Sequence, residues 1–445
     1  MAGIAGISVA GRKIQVRQML DRIAHRGCSG CEILELNNCT IGIVFPEYQQ
    51  TSSDILKKQH IAQDANNEWH FATAIAHDDT LILHRDMLGV KPLYYGFTAE
   101  GLLCFASEIK ALLPETKNIF ELLPGYKYDS NKGLIQAETL QKPHLLNHDA
   151  ETITRNLYNI LLTSTEKCIE TDIAGVWLSG GLDSSIIAAV LEKLVKKLHT
   201  FSIGFANSSD LENARIVADF IGSEHHEIIV SFDQVINILP DVIYHLESFD
   251  ALLVRSTIMN MFVAESTSKF VPVVFSGECS DELFAGYEYL KKINISNLQD
   301  ELMDITGKLH NTALQRVDRS ASSHGLVAQV PFALPEIVDY ALQIPPELKI
   351  KENTEKWILR KAFEGMLPES VLNRTKAKFW EGSGIGEKIL QYAEKQITDK
   401  EFQDEYKLTN GWELRSKEEL LYYRIFKEHF GELENLSWMG RTKQT

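Results

Sequence analysis

The sequence predicts a chain of two parts: a sheet-rich α+β half over residues 1–145, then an α/β half over 146–445 with a doubly wound parallel sheet and a helical C-terminal part. Three observations carry this. Short apolar runs separated by turn residues crowd the first third, as antiparallel strands do. From residue 173 strand-like runs alternate with helical stretches, the pattern of parallel strands joined by crossover helices. Beyond residue 285 the apolar spacing is almost wholly helical.

In chain order, the first-half strand runs are 40–45, 70–76, 80–84 and 102–106, with Asp79, Asp86 and Gly89 as punctuation. The polar stretch 141–150, which contains Pro143, reads as a connector. Ile153, Leu157, Ile160 and Leu161 recur at helical spacing within 151–170. Then come a strand at 173–178, a helix at 184–197, a strand at 200–204 and a helix near 210–221. Two further strands are expected at 225–230 and 271–276.

At 445 residues the chain is too long for one core. Its 44% hydrophobic and 24% charged content are those of a soluble globular protein. A net charge of −16 excludes nucleic acid and anionic membrane as main partners. It leaves a nucleotide site open, because that needs only local donors and metal. No apolar run approaches 18 residues and the N-terminus lacks a basic-then-apolar signal, so a cytoplasmic location is expected. Six cysteines form no disulfide framework. Cys28 and Cys31 with nearby Cys39 have only His25 as a candidate fourth ligand; reduced thiols are expected there rather than zinc.

The most informative stretch is 173–187. An apolar run ends at Leu178, the turn Ser179-Gly180-Gly181 follows, and Asp183-Ser184-Ser185 opens a helical segment. Successive backbone N–H groups and a helix N-terminus then lie at the end of a buried strand, an arrangement suited to an anion. The spacing is not that of the Walker loop, and no Lys follows. A second such turn follows the 271–276 strand: Ser276-Gly277-Glu278, then Asp281-Glu282. An acidic cluster at a strand end is often only a helix cap. Two of them, each after a Ser-Gly, point to Mg²⁺ held by Asp183 and Asp281. Farther on, Lys376 and Lys378 sit in a loop with Phe379, Trp380, Gly382 and Gly384. A cation there suits the charge that develops on a leaving pyrophosphate.

The first of these turns resembles the PP-loop of ATP pyrophosphatases. The chain as a whole resembles glutamine-dependent asparagine synthetases. That resemblance runs through 202–205, 222–228, 247–257, 276–287, 318–326, Arg374-Thr375-Lys376 and 422–430. It implies ATP and Mg²⁺ as cofactors, with Leu178 and Ile203 lining the adenine pocket and Ser276-Gly277 touching ATP. It implies catalytic roles for Glu278, Lys376 and Asp183, and an amino-acid substrate facing Asp250, Arg255 and Thr257. The reaction it implies is adenylation of a carboxylate, with aspartate favoured, followed by attack of ammonia or another amine. A homodimer and a separate ammonia-supplying protein are further implications.

The first half resembles a degenerate Ntn-type glutaminase-like domain. Ala2 stands where the family carries Cys, and a methyl group cannot attack a glutamine amide. Cys28-Ser29 replaces Pro-Asp after His25-Arg26-Gly27, and the segment from Pro46 to Asn66 is short for the family. Val327 and Gln329 replace the usual Glu and Arg, and 381–384 resembles β-lactam synthetase. Two other readings therefore stay open: a ligase acting on a different carboxylate, and a nucleotide-binding regulator without catalysis.

Overall fold

The structure, a computed structural model, describes residues 2–27, 29–46, 50–77, 79–206, 208–374 and 385–443. Among the described residues of the first half, eleven strands form: β1 (Gly3–Ile7), β2 (Gly30–Glu35), β3 (Thr40–Phe45), β4 (Ile61–Ala65), β5 (Phe71–His77), β6 (Thr80–Arg85), β7 (Tyr94–Phe97), β8 (Leu103–Ala106), β9 (Ile119–Glu121), β10 (Tyr126–Asp129) and β11 (Gly133–Gln136). They form two antiparallel sheets, in the orders β2-β3-β1-β8-β7-β9 and β11-β10-β6-β5-β4. Ile4, Ile41 and Ile43 from one sheet and Ala72, Ala74 and Leu83 from the other share one buried cluster between them. Alternation explains this layer: Ile41 and Ile43, two residues apart, project from the same face of β3. Cys39 lies in the same layer, where burial pushes its thiol up to about 11. Cys28 lies outside the described residues.

The second half contains β12 (Ile173–Trp177), β13 (Lys197–Gly204), β14 (Glu224–Ile229), β15 (Val273–Phe275) and β16 (Val327–Gln329). They form one sheet in the order β14-β13-β12-β15-β16, and every pairing is parallel. Helices Leu182–Glu192 and Ser209–Ile221 join successive strands. The order runs outward from β12 in both directions, so the switch point falls between β12 and β15. In open sheets of this kind, ligands bind beyond the carboxyl ends of the strands at that point.

Three expectations need correction. The helix expected at 184–197 ends at Glu192, and β13 starts at Lys197. The strand expected at 200–204 is correspondingly longer. The region beyond 285, expected to be helical, also supplies β16, a three-residue strand too short to show periodicity. The two halves share a core: Val16, Leu20 and Tyr94 pack in the same cluster as Leu246, Phe249 and Trp438.

Candidate active site

Two turns meet at the switch point. After Leu178 the chain passes through Gly180 at φ 68°, and Gly181 caps the Leu182–Glu192 helix in extended conformation. A side chain at Gly180 would need both a strained backbone and space already filled by the Ala214 nitrogen, 2.5 Å from the added carbon. After β15, Gly277 comes so close to the first turn that a Cβ there would lie 2.7 Å from the Ser184 nitrogen. Two small residues thus let one loop lie against the other. Ser179 Oγ and Ser184 Oγ are 3.1 Å apart, and the Ser185 hydroxyl donates to Gly181 O at 2.7 Å. These bonds fix the first turn on the helix that follows it.

The turns open onto a cleft of about 1100 Å³, mouth included, large enough for a nucleotide-sized ligand. Leu178, Ser179, Gly181, Asp183, Ser184, Ile203, Ser276, Gly277, Glu278 and Asp281 all line it. Gly180 shapes the turn from behind, and its carbonyl accepts from Arg374 Nη1 at 3.1 Å. One wall is apolar, formed by Leu178, Ile203, Trp177, Phe201 and Val263. The cleft is also lined by four cations, Arg316, Lys356, Arg360 and Arg374, each paired with an acid of the same lining: Glu278, Asp183 with Asp281, Glu355 and Asp210 respectively.

Lys356 is one of several cleft residues, with Arg316, Arg360 and Asn260, that no sequence motif marks. Its Nζ lies 2.6 Å from both Asp183 carboxylate oxygens and 2.6 Å from Asp281 Oδ1. Its side chain is only 2% exposed, and its backbone sits at φ 54°. Ser280 Oγ donates to Asp183 Oδ1 at 2.8 Å, which locks the carboxylate in place. Cys279, between the two acidic positions of the second turn, also takes a left-handed backbone, at φ 76°. Non-glycine residues held this way cluster at functional sites. Arg316 pairs with Glu278, so a cation from the Ala313–Ser322 helix meets the second turn. The positive φ at Lys356 could not be read from the sequence; the only local signal was a lysine ahead of the apolar helix Trp357–Ala362.

The two acids fit a magnesium ion. Asp183 and Asp281 are hard oxygen donors that converge on one cation, the lysine ammonium. Beside them, burial and the neighbouring Asp281 charge push the Glu282 carboxyl up to about 7, and Tyr287 donates its hydroxyl to it.

Asp250, Arg255 and Thr257 are not brought to the cleft. Asp250 caps the Ala251–Thr267 helix, accepting from Leu253 N at 3.0 Å, and takes the Thr442 hydroxyl at 2.7 Å. Arg255 forms a two-pronged pair with Glu418, and Thr257 Oγ1 bonds Leu253 O at 2.7 Å. All three are buried with their polar groups engaged. From that helix the residues facing the cleft are Asn260 and Val263, one to two turns farther along. Gln329 also points elsewhere: Asn67 of the first half donates to its Oε1 at 3.4 Å. Lys376, Lys378 and 381–384 lie outside the described residues.

Comparison with known proteins agrees with this geometry. The asparagine synthase family model matches residues 157–309 and 296–444, and a glutamine amidotransferase domain model matches 57–156. The chain belongs to the asparagine synthase family. It is 32% identical over 435 residues to asparagine synthetase B [glutamine-hydrolyzing] of Escherichia coli (strain K12), covering 92% of this chain and 75% of that one. Against asparagine synthetase [glutamine-hydrolyzing] 2 of Oryza sativa subsp. japonica it is 34% identical over 387 residues, covering 79% of this chain and 65% of that one. With the Zea mays enzyme the identity is 32% over 418 residues, covering 86% and 70%. The chain is thus an ATP-using carbon–nitrogen ligase of the asparagine synthetase type. The amidotransferase match lies in the N-terminal part of the chain, which carries alanine at position 2. No helix among the described residues is long and apolar enough to cross a membrane.

Proposed function

We propose that the chain makes asparagine from aspartate and ammonia, through an aspartyl-adenylate, without hydrolysing glutamine. The observation that carries this is the convergence of Asp183, Asp281, Lys356 and the Glu278–Arg316 pair on one cleft at the switch point. The adenine base occupies the wall of Leu178 and Ile203. The phosphates extend across the Ser179–Ser184 turn and Ser276-Gly277, where backbone N–H groups meet them. The side-chain carboxylate of aspartate attacks the α-phosphorus, and the bond to the bridging oxygen of pyrophosphate breaks. Ammonia then attacks the acyl carbon, and AMP leaves with the carboxylate oxygen.

Such a site works by alignment and charge neutralisation rather than through a covalent enzyme intermediate. Lys356 holds the two acids in the metal-binding arrangement and supplies positive charge beside the departing pyrophosphate. Asp183 and Asp281 would hold Mg²⁺, which would supply neutralisation of phosphate charge. Arg316 pairs with Glu278 and fixes it at the second turn. Lys376 belongs to the same proposal as a further cation for the pyrophosphate. The working division is an amidotransferase-like part over 1–145 and the synthetase part over 146–445.

The missing glutaminase step follows from Ala2. It is fully buried, and its carbonyl accepts from Arg26 Nε at 2.9 Å; its methyl group offers no nucleophile.

A panel of carboxylic acids tested for ATP–pyrophosphate exchange is the direct check. The reading expects exchange that needs aspartate, and asparagine formed with ammonium but not with glutamine. Exchange supported by a different acid and not by aspartate would reassign the substrate. Nucleotide binding without exchange on any acid would leave a non-catalytic regulator.

A further inference from the structure

A second cluster of ligand-bearing side chains lies away from the cleft, at the β13–β14 edge of the parallel sheet. Parallel register sets His199 beside Glu224 and Phe201 beside His226. Because strand side chains alternate, Glu224 and His226 share one face. His225 and Glu227 face the other way, where His225 meets the hydroxyls of Thr200 and Ser202 at 2.9 and 3.1 Å. On the first face His199 Nδ1 and His226 Nε2 are 2.9 Å apart, and Glu224 Oε1 is 3.9 Å from His199 Nδ1. One donor atom from each residue falls within 4.8 Å of the others.

The two rings are held in place. Their centroids are 5.2 Å apart with 19° between the planes, so the rings meet edge to edge through their nitrogens, and Phe201 and Phe270 pack on His226 at 4.8 and 4.1 Å. Lys197 takes Glu224 Oε2 at 2.7 Å, which leaves Oε1 as the oxygen turned toward the imidazoles. An imidazole hydrogen bond alone would need neither the carboxylate nor its orientation.

We propose that His199, Glu224 and His226 form a binding site for a borderline divalent metal ion, with Zn²⁺ as its ligand. Two imidazole nitrogens and one carboxylate are a common zinc set, and a half-exposed Glu224 leaves the fourth position to water. The nitrogen donors separate this site chemically from the all-oxygen pair Asp183 and Asp281, which suits Mg²⁺. The ion ties edge strand β14 to β13. It also fixes the ring stack that includes Phe201, a residue of the nucleotide cleft wall. The site stands independently of the reaction proposed above, because none of its three ligands lines the cleft.

The test is calorimetric titration of the chelator-stripped full chain with Zn²⁺ alone, with Co²⁺ absorption as a report on ligand type. One tight equivalent is expected. His199→Ala and His226→Ala should each weaken it by about 100-fold, and Glu224→Gln should weaken it and alter the Co²⁺ spectrum. Asp281→Ala should leave it unchanged. Zn²⁺ should raise the thermal midpoint of the wild type but not that of Glu224→Gln. No tight equivalent in the wild type would overturn the proposal. So would binding that survives both histidine substitutions. Should those variants fail to fold, an unchanged Zn²⁺ affinity and Co²⁺ spectrum in Glu224→Gln would overturn it alone.

Discussion

Lys356 carries the heaviest electrostatic duty of any single side chain at the cleft, since one buried ammonium balances two carboxylates. Removing it leaves two like charges facing each other without the cation between them. Lys356→Ala should lower pyrophosphate exchange by about 10²–10³-fold, and Lys356→Arg should not restore it fully because a planar fork replaces a point charge. Steady-state exchange assays check this.

A second lysine gives a prediction about stability. Lys349 is fully buried, its Nζ has no hydrogen-bond partner among the described residues, and burial lowers its pKa to about 7. Between that value and its ordinary one near 10.4 the folded state binds fewer protons than the unfolded state. Stability therefore rises with pH through that window. Below about 7 both states are protonated and the folded state carries the full cost. Lys349→Met should stabilise the protein by about 1–3 kcal/mol at pH 6, with the gain shrinking toward pH 10. Urea midpoints of the two proteins across pH measure it.

At the scale of elements, the cleft depends on two turns lying in contact, and Gly277 is where they touch. Gly277→Ala would push a methyl group into the backbone at Asp183 and Ser184, 2.7–2.8 Å away. It should displace the nucleotide turn and reduce ATP binding more than it reduces global stability, as read by nucleotide titration beside thermal melting. These turns were legible in the sequence because their chemistry is local: glycines, serines and acids at fixed offsets after an apolar run. Strand β12 and the start of the helix that follows it were legible for the same reason, whereas the end of that helix at Glu192 was not. Lys356 was not, since a contact across 173 residues of chain defines its role. Asp250 and Arg255 were misplaced because motif position on the Ala251–Thr267 helix does not say which face meets the cleft. Arg255 turns to Glu418 on the Lys417–Phe430 helix, a partner visible only after folding.

The whole molecule is joined by a buried charge network between its halves. Arg26 reaches Asp64 at 2.6 Å, Glu108 at 2.9 Å and Asp318 at 2.8 Å. Arg319 pairs with Glu108 and Glu247, each at 2.8 Å. Asp318 and Arg319 lie on the same helix as Arg316, which holds Glu278. The first half thereby buttresses the helix that orients the cleft, a reason to retain it without a nucleophile at position 2. Arg26→Met should destabilise the chain by about 3–5 kcal/mol, because it strands buried carboxylates. Calorimetry should show both halves still unfolding together.

The central claim is that this cleft directs a carboxylate onto the α-phosphorus of ATP. The most direct measurement follows oxygen-18 from a labelled substrate carboxylate during turnover with ATP, Mg²⁺ and ammonium. One labelled oxygen is expected in AMP, with pyrophosphate released in equal amount. Formation of ADP and orthophosphate, or of AMP without the label, would contradict it.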